Sequence, residues 1–464
     1  MGNLLASLNL AANAMDVVEQ AVGVLQNNVT NASTPGYVLQ TPTMVAASFD
    51  PQTGTTGGVL FGPVQSSQNN YAEQAVQTQN SLLGTATQAA SSLSSLQGNF
   101  DVSGNSGIPA ALSSLFSAFS AWSTSPNDAS AEQTVMTAAQ QVTEAFNDTA
   151  SSVTQLSTQT NQQLQDTVNQ INALSAQIQQ INVQIRNGGG KDVGLGAKLN
   201  TDLQSLSNLT SISVQYQNDG TVDVLMGGQT PLVMGTTQDQ LSVSFTTPAH
   251  PANPQAPPTA TITNSDGQDV TSTISQGTLA ALLTFSNSTL AGVMGDSQNA
   301  GSLNQLASAL ANEVNSIVTP ASGIPLFTTS GGATAAAQTL AVNPNMTAAQ
   351  LVASNAASSN GTADALAALS TAPDPVLGIG YTDFYSNIAS GIGQQESTAS
   401  ANQTTQQDLF SQAQNALSQV SGISLNQEAS QMVQFQQGYE ASAQTVTTIN
   451  DMLTALLEMT NGVI

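Results

Sequence analysis

Two stripes of regularly spaced residues, one near each end of the chain, constrain the fold more than any other feature. The N-terminal stripe advances by steps of four and three: Leu4, Leu8, Ala11, Met15, Val18, Val22, Leu25 and Val29. The C-terminal stripe has the same spacing: Phe435, Tyr439, Ser442, Val446, Ile449, Leu453 and Leu456. Heptad spacing makes a narrow seam on a helix that packs lengthwise against another helix. We therefore predict that the two terminal helices pair as a coiled coil.

A turn ends the first of these helices. In Thr34-Pro35-Gly36-Tyr37, Pro35 suits the second position of a type II turn, and Gly36 suits the third, which needs a positive φ. The following residues, 41–70, are rich in Gly, Thr, Pro and Asn, with short apolar pieces between them. We interpret them as loops and small strands.

The pattern becomes helical from about residue 71 to residue 208. One apolar face contains Leu112, Leu115, Phe116, Phe119 and Trp122. A longer seam begins in a segment that starts near Ser151: Leu164, Val168, Ile171, Leu174, Ile178, Ile181 and Ile185. Gly188-Gly189-Gly190 ends it. Long helices joined by short turns favour an antiparallel bundle, and we interpret the seam as bundle core.

Near Ser211 the hydrophobic period changes to two, which is typical of strands. Alternating runs flank Asp219-Gly220, and this dipeptide between such runs indicates a hairpin. Further alternation at 241–245 and around Ile262 predicts two more strands, and a proline-rich stretch at 248–254 predicts a loop. We therefore predict a small β domain inserted into the helical one.

Helical periodicity returns near Leu279, whereas residues 320–380 are small and loop-prone, with a short helical piece around Ala363 to Leu369. One face holds Leu303, Leu306, Leu310, Val314 and Ile317, and we expect this helix to end before Pro320. Another helix is predicted from about Asp383 to Val420, with a break at Ser421-Gly422. The predicted fold is mainly α with an inserted all-β domain, a central antiparallel bundle and paired terminal helices. The expected boundaries are 1–45 and 422–464 for the terminal coiled coil, 46–208 and 278–421 for the bundle, and 209–277 for the β domain.

Composition excludes several classes of function. The chain has 28 acidic residues and only three basic ones, Arg186, Lys191 and Lys198, so it cannot neutralise a nucleic-acid backbone. It has no cysteine, and His250 is its only histidine, in the proline-rich loop. We predict no catalytic, metal or cofactor site. No apolar stretch reaches the length of a membrane span, and the N-terminus lacks a positively charged signal region. A cytosolic protein and one exported without a cleaved signal both fit.

Two motifs at the chain ends resemble a known group. Residues 27–37, Asn-Asn-Val-Thr-Asn-Ala-Ser-Thr-Pro-Gly-Tyr, are similar to the N-terminal signature of the axial proteins of the bacterial flagellum, which are the rod, hook and hook-associated proteins. Residues 435–443, Phe-Gln-Gln-Gly-Tyr-Glu-Ala-Ser-Ala, resemble the matching C-terminal signature. Within the group, Glu428-Ala429, the Leu282-Leu283-Thr284-Phe285 segment and the domain order resemble the hook-associated family of the hook–filament junction.

The resemblance implies a structural, non-enzymatic subunit of the flagellum at the hook–filament junction, exported by the flagellar type III apparatus to the outside of the cell. The implied partners are hook protein, hook-associated protein 3, further copies of the chain in a ring, and an export chaperone at the C-terminal helix. Where the family tends to have Arg after the Leu-Thr-Phe run, this chain has Ser286. Of two or three acids common near residue 428, only Glu428 remains.

We expect the assembly interface to use the two seams and the signature motifs. Its predicted residues are Leu4, Leu8, Met15, Val18, Val22, Leu25, Val29, Pro35, Gly36, Tyr37, Phe435, Gln436, Gln437, Tyr439, Val446, Ile449, Leu453 and Leu456. Apolar residues beside the seams should face neighbouring subunits: Leu5, Leu10, Val17, Val433 and Leu457. Two alternatives stay open: a hook protein that forms a long tube, and a secreted adhesin that binds through the β domain.

Overall fold

A computed structural model describes residues 2–50, 55–101, 103–189, 192–247, 256–296 and 299–461. Its helices are α1 (Gly2–Asn31), α2 (Asn70–Gln97), α3 (Gly107–Thr124), α4 (Ala129–Gln184), α5 (Val193–Leu209), α6 (Thr278–Thr284), α7 (Ala291–Met294), α8 (Ser302–Ser322), α9 (Ala336–Thr339), α10 (Gly361–Ala368), α11 (Tyr381–Ser421) and α12 (Leu425–Asn461). Its strands are β1 (Gln40–Thr41), β2 (Met44–Ala46), β3 (Phe49–Asp50), β4 (Thr55–Thr56), β5 (Val59–Phe61), β6 (Gln65–Ser66), β7 (Ile212–Tyr216), β8 (Val222–Met226), β9 (Thr230–Met234), β10 (Thr237–Gln238), β11 (Ser242–Thr246), β12 (Thr259–Thr263), β13 (Phe327–Thr328) and β14 (Ala341–Val342).

The predicted fold class is confirmed, and the terminal helices α1 and α12 pack lengthwise against each other. Between α1 and α2 the chain forms a narrow antiparallel arm (residues 40–66), in which β1 pairs with β6, β2 with β5 and β3 with β4. The arm packs along α1. We call α1, the arm and α12 together the terminal unit.

The main helical core lies beyond the terminal unit. It joins α3, the first half of α4, α8, α10 and the start of α11, and it contains the largest fully buried side chains, among them Trp122, Phe119 and Phe146. Asp128 begins α4 as its N-cap, because its carboxylate accepts the Ser130 N–H at 2.9 Å. Helix α11 packs along α2 and brings its last residue, Ser421, close to Ser67.

A second core unites the C-terminal half of α4 with α5, α6 and the strands β7–β12. The sheet has the order β10-β9-β8-β7, and β11 pairs with β12. The seam from Leu164 to Ile185 therefore packs against strands and α5, rather than inside a helical bundle alone as the sequence suggested. Asn182 fastens α4 to this sheet, since its buried amide accepts the Val222 N–H at 3.0 Å and donates to the Val222 carbonyl at 2.8 Å.

Two local expectations need correction or limitation. Helix α8 continues through Pro320 to Ser322 instead of ending before it. Pro320 lies in the last turn, so its missing N–H costs a single bond to the Ser316 carbonyl, and Gly323 (φ 75°) then ends the helix. The proline-rich stretch 248–254, with His250, lies outside the described residues. Within the described ranges, no helix combines the length and apolar character needed to span a bilayer.

Candidate assembly interface

The predicted seam of α12 faces α1 along most of its length. Ile449 is buried, and five seam residues are half-buried: Phe435, Ser442, Val446, Leu453 and Leu456. Tyr439 is the exception, with 40% of its surface exposed. Gln436 and Gln437, from the C-terminal signature, are exposed beside the seam. The heptad pattern of α12 thus locates the face that the helix turns to its partner.

The buried face of α1 is rotated away from its predicted seam. Its buried residues are Ala11, Val17, Ala21, Leu25 and Asn28. Of the predicted seam, only Ala11 and Leu25 are among them. Five seam residues are half-buried, namely Leu4, Leu8, Met15, Val18 and Val22, and Val29 is exposed. Val17, which the sequence assigned to neighbouring subunits, is buried within the chain at 5% exposure.

The rotation follows from the arm, which α1 packs against in addition to α12. Near one end of the arm, Gln40 bonds Asn28 of α1. Farther along, Gly58 lies so close to Leu10 that an added Cβ would come within 2.4 Å of the leucine Cδ1. The arm therefore follows α1 for about 27 Å. Leu10, also predicted to face neighbours, contacts this arm, while Leu5, Val433 and Leu457 are each about half exposed.

Where α1 meets α12, Asn28 uses all four hydrogen-bonding positions of its side-chain amide. Its nitrogen Nδ2 donates to the Gln40 carbonyl at 2.7 Å and to Glu428 Oε2 at 2.9 Å. Its oxygen Oδ1 accepts the Tyr37 hydroxyl and the Gln40 N–H, both at 3.1 Å. Asn28 has no exposed surface, and Glu428 has 3%. One amide thus joins α1, the turn, the arm and α12.

Glu428 occupies a position of the α12 heptad, seven residues before Phe435. Its described hydrogen-bond partner is the Asn28 amide, and the terminal unit carries no Lys or Arg in its sequence. Burial raises the pKa of the Tyr37 hydroxyl, and the nearby Glu428 carboxylate raises that pKa further. The phenol therefore stays protonated and donates its hydrogen bond to Asn28.

The signature turn docks on α5, which belongs to the central body, as we call the described chain outside the terminal unit. Gly36 has φ 72°, and an added Cβ would lie 2.3 Å from the Ala197 carbonyl oxygen. Its own carbonyl accepts the Asn200 amide at 3.1 Å, and the Pro35 carbonyl accepts the Thr201 hydroxyl at 3.2 Å. Only glycine combines this φ with so close an approach, which explains the glycine of the motif.

A second set of bonds ties the turn to the end of α11. Leu39 N–H donates to the Ser421 carbonyl at 3.1 Å, and Ser67 N–H donates to the Leu39 carbonyl at 2.9 Å. The Ser421 hydroxyl completes the ring by donating to the Ser67 carbonyl at 2.9 Å. Three distant passages of the chain therefore meet where the terminal unit joins the body.

Exposed apolar side chains are concentrated on the terminal unit. Most of the large apolar residues exposed in the described chain lie there: Leu5, Val29, Met44, Val45, Phe49, Leu60, Val64, Leu425, Val433, Tyr439, Met452, Leu457 and Met459. Val45 and Leu60 are cross-strand partners in the arm and are 50% and 55% exposed. Exposed apolar side chains concentrated in one part of a molecule are typical of interaction sites.

The sequence patterns did not point to the exposed apolar residues of the arm, or to the two polar residues where α1 meets α12. Val45, Leu60, Asn28 and Glu428 were not among the predicted interface residues. Asn28 does lie within the N-terminal signature, and Glu428 lies in heptad phase with Phe435, so each carried a signal. No group of three or more His, Asp or Glu side chains in the described chain is placed to hold a metal ion.

Comparison with known proteins finds two matching families and several similar proteins. Residues 93–333 match the family described as flagellar hook-associated protein FlgK helical domain. Residues 413–459 match the family described as flagellar basal body rod FlgEFG protein C-terminal. Flagellar hook-associated protein 1 of Bacillus subtilis is 25% identical over 98% of both chains. The Salmonella typhimurium protein of the same name is 25% identical over 66% of this chain and 55% of its own.

The fold has a counterpart among solved structures. The flagellar hook junction protein FlgK from Burkholderia pseudomallei aligns with a TM-score of 0.61 and 18% identity, over 75% of this chain and 99% of that one. Terminal helices that pair beside a helical body, together with the match of residues 413–459 to the rod-protein C-terminal family, define a flagellar axial protein. The match to the FlgK helical domain covers more than half of the sequence. The chain belongs to the FlgK family of flagellar hook-associated proteins, and it is a structural component of the flagellum.

Proposed function

We propose that this protein forms the junction between hook and filament in the bacterial flagellum, outside the cell, and that it assembles through its terminal unit. The observation that carries the proposal is the distribution of exposed apolar side chains. The central body encloses most of its large apolar residues, whereas α1, the arm and α12 carry most of those that are exposed. The surface left open belongs to the part of the chain that bears both axial-protein signatures.

The proposed contacts divide between the two sides of α1. One side is occupied within the chain, since Leu25 and Val17 are buried there. The other side keeps the predicted residues Leu8, Met15 and Val22 half-exposed in heptad phase. Such spacing fits a helix from a neighbouring copy. Around a ring of copies, the α1 stripe, Val433 and Leu457 would pack between subunits.

We propose hook protein and hook-associated protein 3 as the axial neighbours, and an export chaperone that holds the C-terminal helix before assembly. Met452, Leu457 and Met459 are more than half exposed near the end of α12, so they offer a chaperone an apolar face. Export through the flagellar type III route fits a chain without cysteine, because no disulfide has to be broken for threading. The acidic side chains of both terminal helices, with no basic ones, leave apolar contact as the attraction between copies.

The test is electron microscopy of a strain that lacks the gene. Cells should bear hooks without filaments, and flagellin should accumulate in the medium. A plasmid-borne copy should restore filaments, and immunogold label against the chain should lie at the hook–filament boundary. Intact filaments on the deletion strain would rule out the junction role. Label along the whole hook would favour a hook protein instead.

A further inference from the structure

We infer that the buried contact between Asn28 and Glu428 fixes the register in which α1 pairs with α12, and that this register is required for assembly. The inference rests on the proposed assembly role. Its basis is the hydrogen bond of 2.9 Å from Asn28 Nδ2 to Glu428 Oε2, between residues that are both almost completely buried. The contact lies at the C-terminal end of α1 and the N-terminal end of α12, so the helices run antiparallel.

The apolar seam cannot set this register by itself. A heptad pattern repeats every seven residues, so a slip of about 10 Å brings equivalent positions level again. Ala14 on α1 and Ser442 on α12 each lie two heptads from the polar contact. Ala21 on α1 and Phe435 on α12 each lie one heptad from it. On α1 the corresponding positions are small at Ser7, Ala14 and Ala21. A slipped pair would therefore pack nearly as well.

The polar contact forms in one register only and is lost when the helices slip by one heptad. After a slip of one heptad in one direction, Glu428 lies level with Ala21 and loses its amide donor. After a slip in the other direction, Asn28 lies level with Phe435 and loses its carboxylate acceptor. A buried carboxylate without a donor is strongly disfavoured. A buried polar contact within an otherwise apolar helix pair is a known way to select one register.

The remaining bonds of Asn28 connect this register to the rest of the molecule. The same amide holds both the N–H and the carbonyl of Gln40, and it accepts the Tyr37 hydroxyl. Because the same amide also binds Glu428, the contact holds the start of α12 level with the turn and with the first strand of the arm. The contact sets the height of α12 relative to the arm and the body, so neighbouring subunits meet a single apolar surface.

The test uses disulfide formation, because the natural chain has no cysteine. Ala14→Cys with Ser442→Cys reports the inferred register. Ala21→Cys or Ser7→Cys, each with Ser442→Cys, reports a slip of one heptad. Each pair is placed in the full-length chain, and flagella are isolated from cells that express it. Intramolecular disulfides are scored by gel mobility. We expect the 14–442 pair to form at least tenfold more than either slip pair.

Glu428→Leu then removes the polar contact while Asn28 keeps its bonds to Gln40 and Tyr37. We expect the tenfold preference to fall below threefold. Glu428→Gln keeps an acceptor for Asn28 and should retain the preference. Gln427→Leu places the same new side chain on an exposed neighbouring position and should also retain it. A Glu428→Leu chain that keeps the full preference would overturn the inference.

A Glu428→Leu chain that is exported but missing from flagella calls for a rescue experiment. Oxidation of its 14–442 cysteine pair after export locks the inferred register, and it should restore incorporation to within twofold of the parent. Absence of rescue would overturn the inference, since the defect would then not be one of register. If the natural chain itself is missing from flagella, the proposed junction role fails. The disulfide ratios are then read on the purified full-length chain, where they test the register alone.

Discussion

The central body and the terminal unit handle apolar side chains in opposite ways. In the body, Trp122, Phe119 and Phe146 have no exposed surface, and helices surround them on every side. In the terminal unit, two helices and a narrow arm enclose Leu25 fully but leave Val433 and Phe49 at 51% and 72% exposure. A helix pair has too few neighbours to cover both flanks of each helix. The body can therefore complete its core alone, whereas the terminal unit leaves apolar surface that the proposed assembly would cover.

Buried asparagines also differ between the two regions in what they connect. In the body, Asn304 donates to the carbonyls of Met294 at 2.7 Å and Thr334 at 2.8 Å, so it binds the end of α7 and the turn before α9, both close to its own helix along the chain. In the terminal unit, Asn28 bonds Glu428, which is 400 residues away along the chain. Both side chains satisfy backbone groups that would otherwise be buried without partners. Only Asn28 also joins the two ends of the molecule.

The largest expected effect comes from Leu25→Asp in the terminal unit. Leu25 is fully buried between α1 and its partners, and an unpaired carboxylate there costs several kcal/mol. Swimming and the junction should both be lost, while the thermal unfolding of the body stays within about 2 °C of the parent. Motility plates, electron microscopy and circular dichroism measure these outcomes. Gln26→Asp, at the exposed neighbouring position, is the matched control and should swim normally.

A Leu25→Asp strain that swims would contradict this account, because the terminal pair would then be dispensable. A large loss of body stability would contradict it in another way. It would mean that the body does not complete its core without the terminal unit.

Trp122→Ala tests whether the central body has a core of its own. Trp122 has no exposed surface within the main core, and its truncation should lower the free energy of unfolding by about 3–5 kcal/mol. Urea denaturation of the purified chain measures this change. Val376→Ala, at a residue with 84% exposure, should change it by less than about 0.5 kcal/mol. A Trp122→Ala chain of unchanged stability would show that this region is not the self-sufficient core.

Gly36→Ala tests the contact between the signature turn and α5, where the terminal unit joins the body. A Cβ at this position meets both a positive φ of 72° and the Ala197 carbonyl at 2.3 Å. Gly104 has nearly the same φ, 75°, but nothing lies near its Cβ position. Both substitutions carry backbone strain of about 1–2 kcal/mol, and only Gly36→Ala also pushes the turn away from α5. Hydrogen exchange of residues 193–201 should therefore increase in Gly36→Ala and stay unchanged in Gly104→Ala.

Equal exchange in the two variants would contradict this account. The turn would then be held by its bonds to Ser421 rather than by its contact with α5.

Sequence patterns predicted the features that arise from residues close together in the chain. The hairpin around Asp219-Gly220 and the break at Ser421-Gly422 both follow from local backbone preferences, and both lie where expected. The rotation of the α1 face could not be predicted, because it depends on an arm whose strands are only two or three residues long. The Asn28–Glu428 contact was hidden for a different reason. Neither residue is apolar, so a search for heptad seams passes over both.

The smallest expected effect concerns alkaline pH and separates a buried tyrosine of the body from an exposed one. Tyr385 is 2% exposed, and burial raises its pKa to about 12, with a further contribution from the Asp101 carboxylate. In the unfolded chain this pKa is about 10. The folded phenol thus keeps its proton where the unfolded one loses it. Its contribution to stability is complete below about pH 10 and declines as the pH rises towards 12.

Tyr385→Phe removes this titration, so the melting temperature of the variant should fall less steeply than that of the parent between about pH 10 and 11.5. Tyr71→Phe is the matched control, because Tyr71 is 87% exposed and should leave the slope unchanged. Melting curves at half-unit steps of pH measure the difference, and absorbance of the phenolate follows the ionisation directly. Equal slopes in the parent and in Tyr385→Phe would mean that the folded body admits the ionised phenol, and that its core is less closed than its burial indicates.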